Sequence, residues 1–166
     1  MKKGFTLKEI YTNKDDTEQF DLVLVTAEDS SDLAGISITD NGISDGFEII
    51  AKENIFLTEY GTPYCKTIEA KLDFDNISSQ NISLEKEQGI KTQFIKYCIN
   101  NCICVQIELC GSNLVDVQGK ITSDKGDLLE MEITSAEITL PLGYASIDKA
   151  SVTRIFMPVN RRDKDI

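Results

Sequence analysis

Apolar and polar residues alternate at period two along much of this 166-residue chain, the spacing at which successive side chains of a β-strand fall on opposite faces. No window of ten or more residues keeps apolar positions at uninterrupted steps of three and four. Phe5 to Ile10 reads as a first strand, and the near-continuous apolar run Phe20 to Ala27 predicts a strand covered on both faces. Ile36 to Thr39, Phe47 to Ala51 and Ile55 to Tyr60 predict further strands, with Asp40-Asn41-Gly42 and Ser44-Asp45-Gly46 as turns. After the break at Gly61-Thr62-Pro63, Ile68, Ala70, Leu72 and Phe74 alternate with Thr67, Glu69, Lys71 and Asp73, which predicts a half-buried strand. Residues 75–88 are polar and read as a long loop or a single helical turn, with a possible weak boundary between two β halves.

Asn100-Asn101 is a natural two-residue hairpin turn, because Asn tolerates the left-handed region. Closing a hairpin there puts Ile90, Thr92, Phe94 and Cys98 with Ile103, Val105, Ile107 and Leu109 on one apolar face, with Lys96 the single misfit. A second hairpin, Leu114 to Thr122 with Asp127 to Thr134, turns at Ser123-Asp124-Lys125-Gly126; strands near Ile138 to Leu140 and Val152 to Val159 follow. The sum is an all-β fold, a β-sandwich or jelly roll of antiparallel hairpins with little helix, as one domain over 1–159 with a charged tail at 160–166. A faint echo between Ala27-Glu28 with Leu33-Ala34-Gly35 and Ala136-Glu137 with Leu142-Gly143 is too short to support a duplication.

Composition agrees with the pattern. Ile (21), Val (7) and Thr (13) together outnumber Ala (7) and Leu (13), a bias toward side chains that are stiff at χ1 and suit a pleated sheet. With 17 Lys and Arg against 28 Asp and Glu, the net charge of −11 disfavours nucleic acid and anionic membrane as partners. Histidine is absent, which removes the usual catalytic base and the commonest metal ligand, so the chain reads as no enzyme and as needing no cofactor or metal. No G-x-x-x-x-G-K or G-x-G-x-x-G occurs, and Asp40 to Gly46 lacks the glutamate that completes an EF-hand loop. Met1 to Glu9 resembles a type IV prepilin leader junction, but a prepilin continues with about 20 apolar residues, whereas Tyr11 to Gln19 is polar. The same stretch argues against a signal peptide and for synthesis in the cytoplasm.

The candidate chemistry is in the cysteines. Cys98, Cys102, Cys104 and Cys110 cluster within fifteen residues, and Cys65 stands apart. On the hairpin reading Cys102, Cys104 and Cys110 point away from the core, beside the apolar Ile95, Tyr97 and Ile99. Cys102 and Cys104, about 6.6 Å apart on one strand with parallel Cβ vectors, should not bond each other. Three readings follow: reduced thiols under a covering loop, a metal site lacking C-x-x-C knuckles, or cross-links between subunits through Cys102, Cys104, Cys110 and Cys65 with Ile95, Tyr97 and Ile99 as the contact surface.

The run Cys98 to Ile121, a cysteine-bearing strand followed by Leu114-Val115-Asp116-Val117-Gln118-Gly119-Lys120-Ile121, resembles the β-rich, cysteine-containing spore coat and exosporium proteins of endospore-forming bacteria, including those with SPOCS-type domains. The resemblance implies a structural subunit, made in the cytoplasm without a signal peptide, that assembles with itself or related coat subunits at a spore surface. A virion or phage-tail subunit is one alternative. A ligand-binding β module is another, with a cleft lined by Tyr11, Tyr60, Tyr64, Tyr97 or Tyr144 as its signature.

Overall fold

The computed structural model describes residues 5–135 and 140–159. Ten strands form one antiparallel sheet: β1 (Thr6–Tyr11), β2 (Asp21–Glu28), β3 (Asp32–Ile38), β4 (Ser44–Ala51), β5 (Leu57–Tyr60), β6 (Cys104–Leu109), β7 (Val117–Asp124), β8 (Leu128–Ile133), β9 (Gly143–Asp148) and β10 (Val152–Pro158). Their order across the sheet is β5-β1-β2-β3-β4-β10-β6-β7-β8-β9. Between β5 and β6 lie α1 (Pro63–Glu69), α2 (Phe74–Ser79) and α3 (Ile90–Asn100). The all-β, antiparallel build with little helix expected from the sequence is thus the one adopted, with the strands joined in a single continuous sheet.

That sheet is one unit built twice. The first unit has the order β5-β1-β2-β3-β4, with a 3-10 turn (Lys52–Asn54) directly after β4; the second has β10-β6-β7-β8-β9, with a 3-10 turn (Lys149–Ser151) directly after β9. The registers repeat residue for residue. Asp32 faces Ala51 as Leu128 faces Asp148, and Ser37 faces Gly46 as Ile133 faces Gly143. Leu57 faces Tyr11 as Arg154 faces Glu108. The β2–β3 ladder skips Thr26 where the β7–β8 ladder skips Thr122. Each unit also ties its 3-10 turn to its central hairpin in the same way. The Lys52 N–H donates to Ser31 O and the Lys149 N–H to Asp127 O, both at 2.8 Å; Lys52 Nζ pairs with Glu28 at 3.1 Å and Lys149 Nζ with Asp124 at 2.7 Å. The repeat equates Ala27 with Ser123 and Leu33 with Leu129, so the faint sequence echo lies in the wrong frame.

Each unit has an equivalent set of inner residues. In the first these are Ile10, Val23, Val25, Leu33 and Ile50, with Ile55 against them. Their counterparts are Ile107, Gly119, Ile121, Leu129, Ile147 and Val152. Volume is exchanged between neighbours: Val23 lies beside Gly35 in one unit, and Gly119 and Met131 take these places in the other. A Cβ on Gly35 would come within 2.6 Å of Leu24 O. The opposite face of β1–β4 is covered by the helices, where Cys65, Ile68, Ile77, Ile90, Phe94, Ile95 and Cys98 pack with Leu7, Leu24, Ile36, Phe47 and Ile49. Hence β2 is buried on both sides, as its apolar run predicts.

Two predicted strands are helices instead. Thr62 caps α1, its Oγ1 accepting from Cys65 N at 3.0 Å with Pro63 in the first turn, and Asp73 caps α2 by accepting from Asp75 N and Asn76 N. These caps override the alternation from Ile68 to Phe74, of which only Ile68 is buried. The Asn100-Asn101 hairpin is likewise replaced by α3. Its buried residues Ile90, Phe94 and Cys98 recur every four positions, and Lys96, the misfit of the hairpin, lies on the exposed helix face. The expected strand near Ile138 to Leu140 falls largely, and the tail at 160–166 wholly, outside the described residues.

Candidate interaction surface and its cysteines

Helix α1 places Cys65, α3 and the turn that ends it place Cys98 and Cys102, and Cys104 and Cys110 lie at the start of β6 and just beyond its end. Cys98, on the inner face of α3, is fully buried, and burial pushes its thiol up to about 12. Cys65 is also fully buried, with Sγ 3.4 Å from the Glu9 carboxylate; burial raises it as well, because a thiolate loses hydration there. Cys104 is half-buried, its Sγ 3.5 Å from Thr134 Oγ1. Cys102 and Cys110 are exposed, both with φ of +52°. Cys102 ends α3: its N–H donates to Ile99 O and the Ile103 N–H to Cys98 O, a closure that usually places Gly at this position. Of the expected contact residues, Tyr97 is exposed, Ile99 is half-buried and Ile95 is fully buried. The helix separates these side chains around its circumference, where the hairpin reading grouped them. All five cysteines are free thiols.

The two units meet where β4 pairs with β10: Ile50 faces Arg154, Ile49 faces Ile155, Glu48 faces Phe156, Phe47 faces Met157 and Gly46 faces Pro158. Arg154 fastens this junction. Its guanidinium lies 2.8 Å from Asp21 and 3.7 Å from Glu48, and Nη2 donates to Thr12 Oγ1 at 3.2 Å. Three strands separate β1 from β10, a span of about 19 Å in a flat sheet, so the contact to Thr12 requires the sheet to curl. Burial pushes Glu48 up to about 7 against the pull of Arg154, whose closer partner is Asp21. Sequence reading gave no sign of this cluster, since its members are distant along the chain and each is an ordinary strand residue.

The sheet ends in two strands that pair on one side only among the described residues, β5 and β9. Both carry exposed apolar side chains, Leu57 and Tyr60 on β5 and Tyr144 on β9, with Leu128, Leu140 and Leu142 close by in sequence or register. Tyr60 and Tyr144 are 68% and 76% exposed, the two most exposed aromatic residues described. The five tyrosines do not converge. Tyr11 and Tyr64 flank Phe20, Tyr97 stacks on Phe94, and Tyr60 and Tyr144 stand on strands at opposite ends of the sheet order. Among the described residues no group of three or more Cys, Asp or Glu side chains is arranged to hold a metal ion, and no helix is long and apolar enough to cross a membrane. Compared with protein-family models, with curated proteins and with solved structures, the chain matches none.

Proposed function

We propose that this protein is a structural, self-associating subunit. The observation that carries the reading is the pair of outer strands, each paired on one side only among the described residues and each with an exposed tyrosine and neighbouring apolar residues. A bare strand edge offers a row of backbone donors and acceptors, and soluble monomers ordinarily blunt such edges with charge, proline or a covering loop. Here β9 carries Tyr144, Ala145 and Ile147 with a charge only at its end, Asp148. Cys102 and Cys110, on exposed turns, supply thiols that could cross-link an assembled layer. The resemblance of Cys98 to Ile121 to coat and exosporium proteins makes a spore surface layer or appendage the setting we favour. Electron microscopy of concentrated protein tests the class: rings, filaments or sheets are expected, and a field of separate particles at every concentration contradicts it.

A further inference from the structure

We infer that copies of this chain join head to tail by pairing β9 of one with β5 of the next, in the register that the chain already uses between its own halves. The inference rests on the self-association proposed above and specifies its contact. Because the two units are equivalent, β9 stands where β4 stands, and β5 stands where β10 stands. The β4–β10 pairing therefore maps onto the free edges position by position. It places Ile147 opposite Leu57 of the next copy, Ser146 opposite Thr58, Ala145 opposite Glu59, Tyr144 opposite Tyr60 and Gly143 opposite Gly61.

Three features of the free edges fit that mapping. First, Tyr144 and Tyr60 occupy the positions of Phe47 and Met157, which face each other across the internal junction; a strand added in that register would lay the two exposed tyrosines side by side. Second, Gly143 occupies the position of Gly46. A Cβ on Gly46 would come within 2.3 Å of Met157 O on the neighbouring strand, whereas nothing among the described residues lies within 4 Å of a Cβ on Gly143. A strand laid beside β9 as β10 lies beside β4 fills that space. Third, the charged residues that hold the internal junction have apolar counterparts at the free edges, where Glu59, opposite Ala145, is the one charged residue in the mapped register. Arg154, Glu48, Asp21 and Thr12 correspond to Leu57, Ala145, Val117 and Leu109, so Leu57 would enter an apolar site where Arg154 enters an acidic one. Ser146 and Thr58 replace the buried Ile49 and Ile155 with a small polar pair that suits antiparallel neighbours, leaving the edges less apolar than the internal junction. The contact is heterologous, so repetition gives a ring if the rotation closes and a filament if it does not.

Two double variants read the register directly in reducing buffer. Tyr60→Lys with Tyr144→Lys puts like charges opposite each other, and Tyr60→Lys with Tyr144→Glu puts opposite charges there, with the same aromatic groups lost from both. By sedimentation velocity the like-charged variant should associate about tenfold more weakly than the opposite-charged one; equal association constants overturn the register. Hydrogen exchange of the wild type, dilute against concentrated, reads the edges without substitution. Added protection at 57–60 and 143–148 is expected, and unchanged exchange at both edges overturns the contact. Association that persists with neither effect removes this inference and leaves self-association standing; a wild-type chain that stays monomeric removes both.

Discussion

Cys102 shows how much one residue can give away. It holds the left-handed position that closes α3, where any side chain with a Cβ costs roughly 1 kcal/mol more than glycine. Cys102→Gly should therefore raise the unfolding free energy by about 1 kcal/mol, and a chemical denaturation curve that moves the other way would mean the thiol makes contacts the turn depends on. Labelling of the folded, reduced protein should modify Cys102 and Cys110 first, Cys104 slowly, and Cys65 and Cys98 only on unfolding. Sequence pattern alone already separated buried Cys98 from outward Cys102 and Cys110, though through a hairpin that does not form; nothing local in the sequence indicates that Cys65 is enclosed against Glu9. Glu48 titrates in the opposite sense to a usual stabilising carboxylate. Its native pKa of about 7 lies above that of the unfolded chain, so the folded state holds the proton more tightly and stability falls as pH rises from about 4.5 through 7. Glu48→Gln should flatten that decline, by on the order of 2–3 kcal/mol at neutral pH; an unchanged pH profile would show that Glu48 stays paired with Arg154 throughout.

At the scale of elements, strands were legible and helices were not. β1, β2, β5, β6, β7, β8 and β10, with Ile36 to Ile38 of β3 and Phe47 to Ala51 of β4, fall where alternation or continuous apolar character places strands, because in a sheet the face of each side chain follows directly from its parity. Ser44-Asp45-Gly46, which reads as a turn, instead begins β4. α1 and α2 were hidden by chance alternation, yet their caps, Thr62 with Pro63 and Asp73, were there to be read. In α3 the single misfit Lys96 was the sign that a period-two pairing was forced. Phe94, buried against Phe47 with ring centroids 5.3 Å apart, should cost about 3–5 kcal/mol when replaced by Ala, whereas Lys96→Ala should stay within about 0.5 kcal/mol; a large effect at Lys96 would restore the hairpin. β9 escaped notice because Gly143 to Asp148 is short, with exposed Tyr144 and small residues around it.

On the scale of the whole molecule the repeat was invisible in sequence because equivalent positions differ: Val23 is matched by Gly119, Gly35 by Met131 and Arg154 by Leu57. What is kept is register and the positions of bulge, turn and Lys–carboxylate pair. The internal junction should then tolerate the chemistry of the free edges. Arg154→Leu alone leaves the buried Glu48 without its cation and should cost about 3 kcal/mol, while adding Glu48→Ala and Asp21→Val, the residues at the equivalent positions, should recover most of the loss. Failure of the triple variant to recover would mean the two junctions are not interchangeable. Association through the uncovered ends of the sheet is most directly tested by light scattering after size exclusion, on wild-type protein in reducing buffer over a wide concentration range. The predicted result is a mass that rises above that of one chain as concentration increases; a mass that stays at one chain throughout would contradict it.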